Sequence, residues 1–115
     1  MRVLVCGGRD YTDAFRVSAV LDKLHSEAGI SVLIEGGANG ADTCARKWAG
    51  RNKVQVWTFA ADWEAHGNFA GPMRNSRMIA EGEPELCVAF PGGRGTGDMM
   101  RKARKAGVEV VEIAP

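Results

Sequence analysis

The sequence predicts an α/β fold: a single-domain, Rossmann-like three-layer sandwich over residues 1–115, with a five-stranded parallel sheet ordered 3-2-1-4-5. Three observations carry this. Short apolar, β-branched runs alternate strictly with longer amphipathic stretches. The runs are apolar throughout rather than alternating, as in parallel strands buried on both faces. Glycine-rich segments stand where three of the strands hand over to helices. At 115 residues the chain is long enough for one core and too short for two.

The strands are expected at Val3–Cys6, Ser31–Glu35, Val54–Phe59, Leu86–Phe90 and Val108–Ile113. The first helix opens at Thr12 or Asp13 as N-cap, repeats Val17, Val20, Leu21 and Leu24 at helical spacing, and ends at Gly29. The second places Ala41, Cys44, Ala45 and Trp48 on one face. The third begins near Pro72, whose fixed φ suits a first helical turn, and ends near Gly82. The fourth turns Met99, Met100 and Ala103 inward and stops at Gly107. Residues Ala60 to Gly71 form the longest irregular piece. Strict alternation requires right-handed crossovers, and in a 3-2-1-4-5 order the chain reverses direction between strands 1 and 4. Ligands of such sheets bind there, outside the carboxyl ends of the strands.

Composition excludes several classes. Fifteen basic against fourteen acidic residues give a net charge of +1, so no bulk field favours nucleic acid or a membrane. The cluster Arg101-Lys102-Ala103-Arg104-Lys105 reads as a solvated face that complements a helix C-terminus. Three cysteines without CxxC spacing read as free thiols, and neither a zinc site nor a disulfide framework is expected. No run approaches a membrane span, and the chain opens directly on a strand-like run without the regions of a signal peptide, so a cytoplasmic location is expected.

The glycine segments carry the chemistry. They are Gly7-Gly8-Arg9-Asp10, Gly36-Gly37-Ala38-Asn39-Gly40-Ala41-Asp42 and Pro91-Gly92-Gly93-Arg94-Gly95-Thr96-Gly97-Asp98. A single one makes a tight turn; three on one sheet edge leave a concave rim uncrowded. A helix N-terminus offers unpaired N–H donors and a partial positive charge, which is the chemistry of a phosphate cradle. Neither GxGxxG after the first strand nor GxxxxGK[ST] occurs, so the rim indicates an anion near backbone without naming it. In Gly71-Pro72-Met73-Arg74-Asn75, Arg74 projects from a first turn and can grip a phosphate or carboxylate, while Asn75 caps or holds a neighbouring loop. Asp42 is either an early-turn acid favoured by the helix dipole or a ligand to ribose hydroxyls. Arg9 can face a phosphate across the crevice. Trp63 and His66 can stack on a base or cover the pocket, and Tyr11 and Phe15 line a base pocket or pack locally.

Taken in order, Gly7-Gly8-Arg9, Gly36-Gly37-Ala38-x-Gly40-Ala41-Asp42, Ala61-Asp62-Trp63, Gly71-Pro72-x-Arg74-Asn75-x-x-Met78 and Pro91-Gly92-Gly93-x-Gly95-Thr96 resemble the YspA-type, YpsA-related branch of the SLOG superfamily. That superfamily also holds the Lonely Guy phosphoribohydrolases and the DNA-processing protein A family. The resemblance covers almost the whole chain. It implies a Rossmann-like fold binding nucleotides or nucleotide-derived ligands such as ADP-ribose or NAD derivatives, with members in phage genomes and beside bacterial defence systems, and association as a homodimer.

Lonely Guy enzymes carry a catalytic glutamate at the place of Met99, with Asp98 one position earlier here; one helical position is a rotation of about 100°. Arg74 is the counterpart of their catalytic arginine. The first expectation is therefore a protein that binds a nucleotide-like ligand without transforming it, as sensor or sequestering protein. Its phosphate and ligand contacts would come from Gly7, Gly8, Arg9, Gly36, Gly37, Asp42, Arg74, Asn75, Gly92, Gly93, Gly95 and Thr96. The alternative is an N-glycosidic hydrolase using Arg74 and Asp98 or Asp42. Single-stranded DNA binding ranks third, because near-neutral charge does not favour backbone phosphates. No metal and no cofactor are expected; the partners are a nucleotide-like small molecule and a second copy of the chain, with Trp48 and the last helix's methionines as a candidate dimer face.

Overall fold

A computed structural model describes residues 1–115. The strands are β1 (Arg2–Cys6), β2 (Val32–Glu35), β3 (Gln55–Thr58), β4 (Leu86–Ala89) and β5 (Glu109–Glu112). All pair in parallel in the order β3-β2-β1-β4-β5, as expected. The long helices are α1 (Ala14–Ala28), α2 (Ala41–Arg51), α4 (Ala70–Gly82) and α5 (Arg94–Lys105).

The region expected to be irregular is not. It holds the short helix α3 (Trp63–His66) and a 3-10 turn (Gly67–Phe69) that runs straight into α4. Asp62 starts α3 by accepting from Ala65 N at 3.0 Å, an N-cap that satisfies a first-turn donor. Because the 3-10 turn feeds it, α4 begins two residues before Pro72, which still lies in its first turn. Asp13, rather than Thr12, caps α1 by accepting from Arg16 N at 3.0 Å.

Alternation along the strands sorts the core into two layers. Val3, Val5, Leu33, Leu86 and Val88 face α1 and α2, meeting Val17, Leu21, Ala41, Ala45 and Trp48. Leu4, Cys6, Ile34, Cys87 and Ala89 face α4 and α5, meeting Met78, Met99 and Ala103. The helices change face where the chain crosses from β3 to β4, as right-handed crossovers demand when strand order reverses. The two edge strands depart from the all-buried expectation. Gln55, Thr58, Glu109 and Glu112 are exposed, so β3 and β5 are only partly covered.

Two interface candidates are core residues instead. Trp48 is 1% exposed, packs edge-on against His25, and donates Nε1 to Asp22 Oδ1 at 2.8 Å. Met99 is also 1% exposed. Neither has surface left for a second copy. The Cys6 and Cys87 sulfurs lie 4.0 Å apart on neighbouring strands, unbonded. No helix is long and apolar enough to cross a membrane.

Candidate functional site

The loops leaving β1, β2 and β4 meet at the edge where the strand order reverses. Gly8 is their knot. Its N–H donates to Pro91 O at 2.9 Å, and its carbonyl accepts from Ala41 N at 3.2 Å and Tyr11 N at 3.1 Å. The loop after β1 is thereby tied to the loop after β4 on one side and to the start of α2 on the other. The approach is close enough that a Cβ on Gly92 would stand 2.7 Å from Gly8 N. Above this knot opens a cavity of about 670 Å³, within the range of small-molecule pockets.

One wall is the start of α5. Its first helical bond runs from Gly97 N to Gly93 O at 3.0 Å, and Gly93, at the N-cap position, supplies no side chain. The N–H groups of Gly93, Arg94, Gly95 and Thr96 therefore donate to no protein acceptor. A Cβ on Gly93 or Gly95 would meet nothing within 4 Å, so this wall is open to a ligand.

Across the cavity stands Arg74. The guanidinium is half-buried and forms no ion pair. Nη1 donates to Gly36 O at 2.5 Å and Nε to Asn75 Oδ1 at 3.0 Å. Of its five N–H donors, three remain for a ligand. Gly36 is glycine for this reason, since a Cβ there would lie 2.9 Å from Arg74 Cζ. Asn75, 5% exposed, passes Nδ2 to Gly95 O and to Asp98 Oδ2, both at 3.1 Å, and so locks α4 against the mouth of α5. Arg9 lines the same cavity from an exposed position.

The loop after β2 behaves differently, because the N–H groups of Gly36 and Gly37, expected at a phosphate, meet carboxylates of the protein instead. Gly36 N and Ala38 N donate to Asp42 Oδ2 at 3.1 and 3.2 Å, and Gly37 N donates to Glu35 Oε1 at 2.7 Å. Three of the loop's donors, those of Gly36, Gly37 and Ala38, are taken by the protein's own carboxylates. Glu35 is fully buried, also accepts from Arg46 Nη1 at 3.2 Å and from the Thr58 hydroxyl, and was not among the expected site residues. Its signal in the sequence is a lone acid closing the otherwise apolar run Val32-Leu33-Ile34, directly before two glycines.

Asp42 is 6% exposed and lines the cavity. Burial pushes its carboxyl up to about 6, and Glu35 adds to the rise. The bonds from Ala38 and Gly36 and the charge of Arg74 oppose it. Both loop bonds use Oδ2, and no buried side-chain oxygen lacks a partner, so Oδ1 is reached from solvent.

Asp98 does not join this site. It is absent from the cavity lining, and its carboxylate holds Arg101 Nη2 at 2.6 Å and Lys102 Nζ at 2.9 Å along α5. Burial alone would raise its pKa, but the bonds from Lys102 and Asn75 and the two cations outweigh it and hold the carboxyl below its usual value. Met99, one position on, is turned into the core beneath the cavity. Cys6 also borders the cavity, yet its contact with Cys87, aided by burial, keeps the thiol protonated well above the ordinary range. Gly7 packs against Ala41 and Phe90 at the back of the cavity. Tyr11 lines the cavity beside Phe90, whereas Phe15 is 91% exposed and does not. Trp63 lines an adjoining hollow, and His66 lines neither.

A doubly wound parallel sheet with a glycine-walled crevice at its switch point defines a Rossmann-like domain. The chain belongs to the YspA, cpYpsA-related SLOG family, whose model matches residues 1–66. It is 41% identical to the Gene 61 protein of Mycobacterium phage D29, over 97% of this chain and 95% of that protein. Among solved structures it resembles DNA processing protein A from Streptococcus pneumoniae, with a TM-score of 0.80 at 22% identity over 99% of this chain and 50% of that one. Glycinamide ribonucleotide transformylase 1 from Symbiobacterium toebii shares the fold at a TM-score of 0.59 and 19% identity, over 100% of this chain and 51% of that one. The chain spans about half the length of these two structures.

Proposed function

We propose that the protein binds a nucleotide or nucleotide-derived small molecule in this crevice and holds it without cleaving it. The observation that carries the reading is the pairing of two unsatisfied features across one cavity. Unbonded N–H groups line the start of α5, and Arg74 opposite has three free N–H donors and no carboxylate partner. A phosphate satisfies both at once. Asp42 Oδ1, on the neighbouring wall, is placed to accept from sugar hydroxyls. Family membership supports the same class of ligand, and the phage-encoded relative fits a role in phage–host nucleotide signalling inside the cell.

Titration calorimetry with ADP-ribose, NAD, nucleoside monophosphates and cyclic nucleotides tests the reading. At least one should bind, and Arg74→Ala should weaken it by about 10- to 100-fold, the worth of a charge-assisted hydrogen bond. Folded protein that binds none of them sinks the proposal.

One observation favours hydrolysis of an N-glycosidic bond as a second reading. Asp42, rather than Asp98, is a cavity carboxyl poised near neutrality. Free base released from the bound nucleotide, and lost in Asp42→Asn, would establish that reading in place of pure binding.

A further inference from the structure

Arg74 and Arg9 do not sit at the end of the crevice but at a partition within it. On the side away from α5 lies a second cavity of about 350 Å³, which shares Arg9, Gly36, Ala38 and Arg74 with the first. Its floor is small: Gly37, Ala60 and Ala61 present no long side chain. Its one aromatic is Trp63, 53% exposed on the short helix that Asp62 caps. The indole is not free to wander, because its Cη2 lies against Gly71 of α4, where an added Cβ would stand only 3.3 Å away. A hollow lined by small residues beside a backed but half-exposed indole suits a planar ring, since aromatic rings gain most by stacking on an anchored π face.

We propose that this second cavity is a stacking subsite, and that the ligand is two-headed: two ring-bearing ends joined through phosphate, as in dinucleotides. The inference rests on the nucleotide reading above and extends it. The shared guanidinium of Arg74 holds the phosphate bridge at the partition. The bridge reaches from that guanidinium to the N–H groups at the α5 mouth, one nucleoside lies in the rest of the larger cavity, and the second ring lies on Trp63.

Calorimetry on the full chain with AMP, NAD and diadenosine diphosphate tests it, with indole fluorescence as a second readout. Trp48 is buried and Trp57 partly so, which makes Trp63 the tryptophan a ligand can quench directly. NAD or diadenosine diphosphate should bind at least about tenfold tighter than AMP, the scale of one stacked base. Trp63→Ala should remove that gain while AMP binding stays within about twofold, and Trp63→Phe should keep most of it. Ala60→Phe, which fills the hollow and leaves residue 63 as tryptophan, should reproduce the Trp63→Ala pattern. If AMP binds and the second half adds nothing, or if Trp63→Ala weakens AMP as much as NAD, the subsite is overturned while the nucleotide reading stands. If none of the three binds to folded protein, the nucleotide reading itself fails and takes the subsite with it.

Discussion

Two glycine-rich loops face each other across the crevice, and they do opposite things. The loop after β4 feeds α5 without a capping side chain, so its N–H groups stay free and its glycines border open space. The loop after β2 is equally rich in glycine, yet Asp42 and Glu35 take the donors of Gly36, Gly37 and Ala38. Glycine content makes both loops look like anion cradles. What separates them is the acid within reach: a loop that already holds its own carboxylates has fewer donors to offer and repels a second anion. The β2 loop is better understood as scaffolding, because its Gly36 carbonyl pins the Arg74 guanidinium that faces the open wall.

The sharpest way to break the contrast is to remove the buried acid. Glu35→Ala strips acceptors from Gly37 N, Arg46 and the Thr58 hydroxyl and leaves a void beneath the loop. Lost charge-assisted bonds and the cavity together should cost about 4 kcal/mol in urea unfolding. Glu35→Gln keeps an oxygen for Gly37 and Arg46 and turns an amide towards Thr58, and should cost about 1 kcal/mol. Equal losses in the two variants would show that the charge, not the bonded frame, holds the loop.

Asp42 tests the same wall through pH. Its carboxyl is raised to about 6 in the fold, chiefly by burial, against an ordinary value near 4. The folded state then binds the proton more tightly than the unfolded chain. This contribution to stability is complete below about pH 4 and is lost as pH rises through about 6. Asp42→Asn does not titrate, so its stability relative to the native protein should improve by up to about 3 kcal/mol between pH 4 and pH 7. A pH-independent difference would mean that Asp42 ionises as freely in the fold as in water.

The fold was legible because parallel strands buried on both faces leave an unmistakable signature: apolar runs, amphipathic intervals, and glycines at the junctions. Strand order, the inward faces of the helices and the crevice edge all followed from that pattern. Three things did not follow. The segment 60–71 hid a short helix because four residues capped by Asp62 are too few to show a period. Asp98 and Asp42 are both acids beside glycine loops, and only packing shows that one faces the cavity while the other pairs with Arg101 and Lys102. Trp48 offered no sequence cue to separate core from interface, because a fully buried indole needs only one acceptor, here Asp22, to satisfy its N–H.

The smallest effect is the most telling about the open wall. Gly95 lies in the first turn of α5 without positive φ, and a Cβ there would meet nothing within 4 Å. Its carbonyl, not its α-carbon, receives Asn75 Nδ2, so the bracket between α4 and α5 survives a substitution. Gly95→Ala should therefore raise stability by about 0.5–1 kcal/mol, as alanine replaces glycine within a helix. The new methyl nevertheless stands beside the unbonded N–H groups that are proposed to hold the phosphate. Ligand affinity should fall while the melting temperature rises. That opposite movement is what a glycine kept for a ligand predicts, and a glycine kept for a turn does not. Unchanged affinity in Gly95→Ala would move the anion away from the mouth of α5.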